Sequence, residues 1–146
     1  MTDVLAWRLC RAPYADLSGA GARHYGGRWN NPGQPVVYTA SDPALAVLEV
    51  RVHLDVPPEL LPDDYVLLGI DFDGLEIEEV TNVPDDPAAF GDAWLRERRT
   101  PVLKVPSVIV AESWNLLLNP AHPHAARAAI VARRPFVFDR RLWLPG

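Results

Sequence analysis

Apolar positions along this chain fall in short runs separated by glycine, proline and acidic residues, a pattern that predicts a mixture of short strands and helices. The most apolar helical pattern runs from Pro43 to Leu54, where Leu45, Leu48, Glu49 and Val52 share one face at 3.6 residues per turn. Ser41 and Asp42 are good capping residues and Pro43 suits a first helical turn, so the helix starts there. Strands are predicted over Val4 to Leu9, at 36–40, and from Tyr65 to Phe72, with Leu75 to Val80 pairing beside the last of these. A long polar and glycine-containing loop should span residues 10 to 35. Asp85-Asp86-Pro87 introduces a short helix through Arg96. Val102 to Val105 and Val108 to Val110 are predicted strands around Pro106-Ser107, and Ala128 to Val131 with Phe136 to Phe138 should close the sheet.

Within this pattern Glu49 is out of place. It puts a carboxylate in an apolar stripe, and a desolvated carboxylate is costly unless it is paired, hydrogen-bonded or kept for chemistry. The structural explanation is a buried ion pair with an arginine such as Arg28. The functional one draws on what precedes the helix. Gly26-Gly27-Arg28-Trp29-Asn30-Asn31-Pro32-Gly33 is turn chemistry carrying one cation, and Val36-Val37-Tyr38-Thr39-Ala40 is a β-branched run. An arginine on a glycine loop, a tyrosine on a strand and a glutamate on the next helix could converge on one pocket.

Six strings extend this local picture over nearly the whole chain. Trp7-Arg8-Leu9, Gly26-Gly27-Arg28-Trp29-Asn30, Val37-Tyr38-Thr39, Ala46-Val47-Leu48-Glu49-Val50, Val105-Pro106-Ser107 and Asn115-Leu116-Leu117-Leu118-Asn119-Pro120-Ala121-His122-Pro123 occur in an order and spacing that resembles the RES domain family. The resemblance implies an α+β fold related to ADP-ribosyltransferases, a single domain over residues 1–146 with mixed, mostly antiparallel sheets and flanking helices. It implies the toxin half of a bacterial toxin–antitoxin pair that consumes NAD+. The family's catalytic arginine, tyrosine and glutamate fall on Arg28, Tyr38 and Glu49, and its serine on Ser107. Arg8, Arg28, Tyr38 and Ser107 are then the expected NAD+-binding residues. NAD+ is a substrate rather than a resident cofactor, with inorganic phosphate as a candidate co-substrate. The implied partner is an Xre-like DNA-binding antitoxin that blocks the pocket, and the family also implies self-association of the toxin.

These residue types suit that chemistry. Breaking the nicotinamide–ribose bond builds positive charge on the sugar, as in glycoside hydrolysis, and a carboxylate in a dry site stabilises it. Arg28 can hold the pyrophosphate through charge-assisted hydrogen bonds, with Arg8 as a second contact. Tyr38 offers a flat face to the nicotinamide ring and a hydroxyl for orientation, or is an ordinary strand aromatic. Ser107 orients the ribose or only braces the turn after Pro106. Trp29, Trp94 and Trp114 are expected in the core or the pocket wall. Whether ADP-ribose passes to water, phosphate or a protein is open, and a non-catalytic partner-binding module is the third reading.

Composition narrows the field. At 146 residues and 49% hydrophobic, the chain can bury one substantial core. The lone Cys10 excludes an internal disulfide, and no run approaches the roughly 20 apolar residues of a membrane span, so a cytoplasmic location is expected. A net charge of −5 argues against direct nucleic-acid binding, leaving an anionic ligand to specific arginines. Gly19-Ala20-Gly21-Ala22-Arg23-His24 begins like a dinucleotide-binding glycine signature but has His24 at the third glycine position. His122-Pro123-His124 lacks a second ligand pair, so no metal is expected. Fifteen prolines, about double ordinary usage, imply rigid connections able to wall a pocket.

Overall fold

The computed structural model describes residues 5–143. Its strands in chain order are β1 (Leu5–Arg11), β2 (Val37–Ala40), β3 (Tyr65–Asp71), β4 (Ile77–Glu79), β5 (Val102–Pro106), β6 (Trp114–Leu118) and β7 (Ala129–Pro135). The helices are α1 (Ala20–Tyr25), α2 (Pro43–Arg51) and α3 (Pro87–Glu97). All seven strands join one mixed sheet in the order β4-β5-β6-β2-β1-β3-β7, antiparallel except for the β4–β5 pair. The expected α+β class with a mostly antiparallel sheet is what the chain adopts.

Side-chain alternation divides the core between the two faces of the sheet. Trp7, Leu9, Tyr38, Ala40, Leu103, Val105 and Leu117 face the helices, whereas Ala6, Val37, Leu68, Ile70, Leu116 and Leu118 pack beneath Phe72, Leu75 and Ala125. Both long helices are capped as their sequences predict. Asp42 accepts from Leu45 N at 2.9 Å and Asp86 from Ala89 N at 3.1 Å, each followed by proline in the first turn.

Several expectations need correction. The first strand runs to Arg11, and its expected start at Val4 lies outside the described residues. The loop from residue 10 to 35 contains α1, so part of the rejected glycine signature is helical after all. Helix α2 stops at Arg51 and leaves Val52 46% exposed, so the supposed buried face ends one turn early. β4 pairs with β5 at the far edge of the sheet instead of lying beside β3, because α3 carries the chain across to a parallel register. Residues 108 and 109 form a bend, and the next strand, β6, begins only at Trp114. Phe136 to Phe138 lie beyond the end of β7, with Phe136 N still donating to Tyr65 O at 2.9 Å, and Phe138 packs edge-on to Tyr65 at 5.2 Å.

One irregularity of the sheet positions the site. β1 pairs with β3 along its whole length but meets β2 only at Trp7↔Ala40. Continuing that register would bring Arg8 opposite Thr39 and Leu9 opposite Tyr38, and there the two central strands part.

Candidate active site

All four of those residues line a cavity of about 850 Å³ at the gap. The size falls within the roughly 300–1,000 Å³ usual for small-molecule sites. Trp7, Leu9, Tyr38 and Ala40 form its floor, Glu49 and His53 come from α2 and its end, and Gly26, Gly27 and Arg28 form the opposite wall with α1. Arg8, Arg28, Tyr38 and Glu49 are thus brought together as expected.

The glycine turn is built rigidly. Gly26 has φ of 75°, and Gly27 N donates to Asn30 O at 2.9 Å, closing a tight turn with Arg28 and Trp29 at its tip. Trp29 is buried against Phe90 and Trp94, which leaves Arg28 exposed on the pocket side. Asn30 is buried and spends its amide on Ala22 O at 2.9 Å and Gln34 O at 3.1 Å. Asn31 is fastened to α3 through Asp92, by its backbone N–H at 3.0 Å and its side-chain amide at 2.7 Å. The backbone that carries the cation is thus fixed before a ligand arrives.

Tyr38 completes the turn and is less available to a ligand than its sequence position implied. Its hydroxyl donates to Asn30 Oδ1 at 2.7 Å and accepts from Trp29 N at 3.0 Å. A Cβ on Gly27 would lie 2.7 Å from that oxygen, so the glycine is required for the approach. The ring is what Tyr38 presents to the pocket. Burial pushes its pKa up to about 12. Tyr38→Phe should therefore cost roughly 1–3 kcal/mol at neutral pH, because it strands the Trp29 N–H. As pH rises through the ordinary tyrosine value of 10.0 toward about 12, the unfolded chain releases the proton while the folded one retains it, so this residue's contribution to stability falls. The wild-type advantage over Tyr38→Phe, measured by urea unfolding, should accordingly shrink between pH 8 and pH 11.

Glu49 is half-buried and engages neutral donors at both oxygens. Ser107 Oγ donates to Oε2 at 2.9 Å and Asn115 Nδ2 to Oε1 at 2.7 Å. Among the described residues no ion pair links Glu49 to Arg28, and Arg28 makes no side-chain hydrogen bond. The ion-pair explanation for the carboxylate fails on this geometry. Of the two readings of Ser107, its contacts match the bracing of the turn after Pro106. It is buried behind Glu49 and outside the pocket lining, and its oxygen accepts from Ile109 N at 3.1 Å and Val110 N at 3.3 Å. With those lone pairs occupied, its one proton is directed at Glu49 and not at a ligand.

Arg8 reaches the cavity with part of its guanidinium already committed. Nη1 donates to Tyr14 O at 2.7 Å and Asp16 O at 3.1 Å, fixing the turn after β1, while the other nitrogens have no acceptor among the described residues. Sequence reasoning assigned no role to Asn115, whose amide reaches Glu49 from β6, and missed the Asn31–Asp92 side of the turn. It also missed that His53 and Tyr25 line the cavity. Asn115 opens one of the strings that carry the family resemblance and is a polar residue at the head of an apolar run, but neither signal points to Glu49.

Comparison with known proteins follows the same outline. The family model described as RES domain matches residues 5–139. A Prs ADP-ribosylating toxin from Sphingobium sp. is 42% identical over 139 residues, covering 87% of this chain and 86% of the relative. A Toxin Res from Pseudomonas putida is 36% identical over 148 residues, covering 96% of this chain and all of the relative (100%). The crystal structure of the M. tuberculosis MbcT–MbcA toxin–antitoxin complex contains a chain with the same fold, at a TM-score of 0.74 and 21% identity, covering 93% of this chain and 85% of that one.

Proposed function

The chain belongs to the RES domain family, and on that premise we propose that its pocket cleaves the nicotinamide–ribose bond of NAD+, as the toxin of a bacterial toxin–antitoxin pair. The observation that carries the proposal is a carboxylate held by two neutral donors and no cation, facing a pocket whose other wall offers an unengaged arginine. No counter-cation among the described residues competes with a ligand for this group. In the reaction the bond from C1′ to the nicotinamide nitrogen breaks with its electron pair leaving on the ring, which loses its positive charge. Charge develops on the ribose, Glu49 stabilises it, and a nucleophile then bonds to C1′, a water or hydroxyl nucleophile passing its proton to solvent. Arg28, with the free nitrogens of Arg8, binds the pyrophosphate. The face of Tyr38 and the apolar floor of Trp7, Leu9 and Ala40 exclude water from the breaking bond.

Two acceptors remain in play besides water. Inorganic phosphate would make the reaction a phosphorolysis, and a protein nucleophile would make it ADP-ribosylation. The Prs ADP-ribosylating relative favours keeping the protein acceptor as a second reading. Regulation by an antitoxin, of Xre type and seated over the pocket, belongs to the same proposal. It draws on the toxin–antitoxin complex that shares the fold.

Purified protein should release nicotinamide from NAD+. Chromatography that resolves nicotinamide, ADP-ribose and ADP-ribose phosphate, run with and without phosphate, separates the two small-molecule routes. NAD+ that stays intact until a protein acceptor is added selects ADP-ribosylation. NAD+ that stays intact in every case overturns the proposal.

A further inference from the structure

We infer that Asn115 is a positioning residue for Glu49, without which the carboxylate would not be held in its working orientation; the inference rests on the NAD+-cleaving reading of the same pocket. The amide stands between two acceptors. Nδ2 donates to Glu49 Oε1 at 2.7 Å and to Thr39 O at 3.1 Å, so both amide hydrogens are used and the side chain has one orientation that satisfies them. Its backbone is equally constrained. Asn115 lies on an interior strand, paired with Ala40 of β2 on one side and Val105 of β5 on the other. Thr39, whose carbonyl receives the second hydrogen, sits where β2 parts from β1 and the cavity opens.

The arrangement works as a clamp on one carboxylate. Ser107 binds Oε2 from the turn after β5 and Asn115 binds Oε1 from β6, which together set the tilt and rotation of the carboxylate plane. Glu49 itself sits in the last turn of α2, which ends at Arg51, and its neighbours Leu48 and Val50 are only partly buried. Packing alone therefore leaves a long, flexible side chain several rotamers, and the two donors remove that choice. Neither donor is cationic, so the negative charge is oriented without being neutralised. Asn115 also lines the cavity, and its Oδ1 accepts no hydrogen bond from the described residues. The amide thus holds the carboxylate at one end and meets the cavity at the other.

The test compares wild type, Asn115→Ala, Ser107→Ala and the double variant. Steady-state NAD+ cleavage, thermal unfolding and the Glu49 side-chain rotamer, from NMR three-bond couplings, are measured on each. Asn115→Ala is expected to lower kcat about 10²-fold, since misplacement of a reacting group by an ångström has that effect, with KM changed less than about threefold. The double variant should lose little more than the worse single one, because both residues act through one group. A kcat loss that tracks lost folded protein, or a rise in KM with kcat preserved, would overturn the inference. If wild type leaves NAD+ intact, the proposed activity fails, and the rotamer decides the inference alone. Averaging among rotamers in Asn115→Ala upholds it, and a single preserved rotamer refutes it.

Discussion

Glu49→Gln should lower the rate of nicotinamide release about 10³-fold, roughly 4 kcal/mol of transition-state stabilisation, while the protein stays folded. Glutamine keeps the length and shape of the side chain, and its carbonyl can still accept from Asn115. What it lacks is the charge that opposes the developing positive charge on the ribose. Its NH2 group would also face Ser107 Oγ, whose acceptor positions are filled by Ile109 N and Val110 N, so a small cost to the fold is expected. That cost is about 1 kcal/mol, or roughly 3 °C in Tm for a chain of this size. The alternative in which Glu49 neutralises a buried Arg28 predicts the reverse. Removing one partner of a buried pair typically costs about 3–5 kcal/mol, with no activity to lose. The absence of such a pair among the described residues already disfavours it. Nicotinamide release and thermal denaturation on the same preparation decide between them. A variant that melts far lower while cleaving at the wild-type rate per folded molecule would sink the catalytic role.

How far the site was legible in the sequence depends on the range over which each interaction acts. Asp42 and Pro43 mark the start of α2 because capping involves only neighbouring residues, and the observed Leu45 N bond confirms it. Nothing equally local marks its end. Val52-His53-Leu54 continues an apolar pattern without a glycine, and only the folded chain shows the helix stopping at Arg51. β6 was overlooked because Trp114 to Leu118 does not alternate. An interior strand covered on both faces has no reason to alternate, so periodicity cannot distinguish it from other buried segments. The site divides in the same way. Arg28, Tyr38 and Glu49 come from one loop–strand–helix passage, whereas the residues that grip Glu49 lie 58 and 66 positions further along the chain. Their proximity follows from the placement of β6 beside β2 and of β5 beside β6, which is a property of the whole sheet. The family resemblance supplied Ser107 and left open whether it orients the ribose or braces the turn. Its hydrogen bonds brace that turn and direct its proton at the carboxylate, a partner 58 positions away that no local signal names.

Gly91→Ala should be among the most damaging single substitutions for the fold, and it tests whether the arginine turn depends on α3. In an isolated helix the change would be favourable by about 1 kcal/mol, because alanine has the better helix propensity. Here a Cβ at residue 91 would lie 1.7 Å from the carbonyl oxygen of Trp29 and 2.7 Å from its carbonyl carbon. Both are backbone atoms, so no rotamer change relieves the overlap. Either α3 or the glycine turn must move, at an expected cost of about 3 kcal/mol or more and a fall in Tm of roughly 6–12 °C. Trp29 is adjacent to Arg28, and Asn31 is tied to Asp92 on the same helix, so displacement of this contact carries the cation away from the pocket wall. The surviving folded fraction should therefore show a raised KM for NAD+ as well as lower stability. Gly21→Ala is the matched control. It lies in α1 with nothing within 4 Å of its added Cβ and should raise stability by about 0.5–1 kcal/mol. Thermal unfolding of the pair should thus shift in opposite directions. An unchanged Tm and KM in Gly91→Ala would show that the turn is not braced by α3 and that Arg28 owes its position to Tyr38 and Asn30 alone.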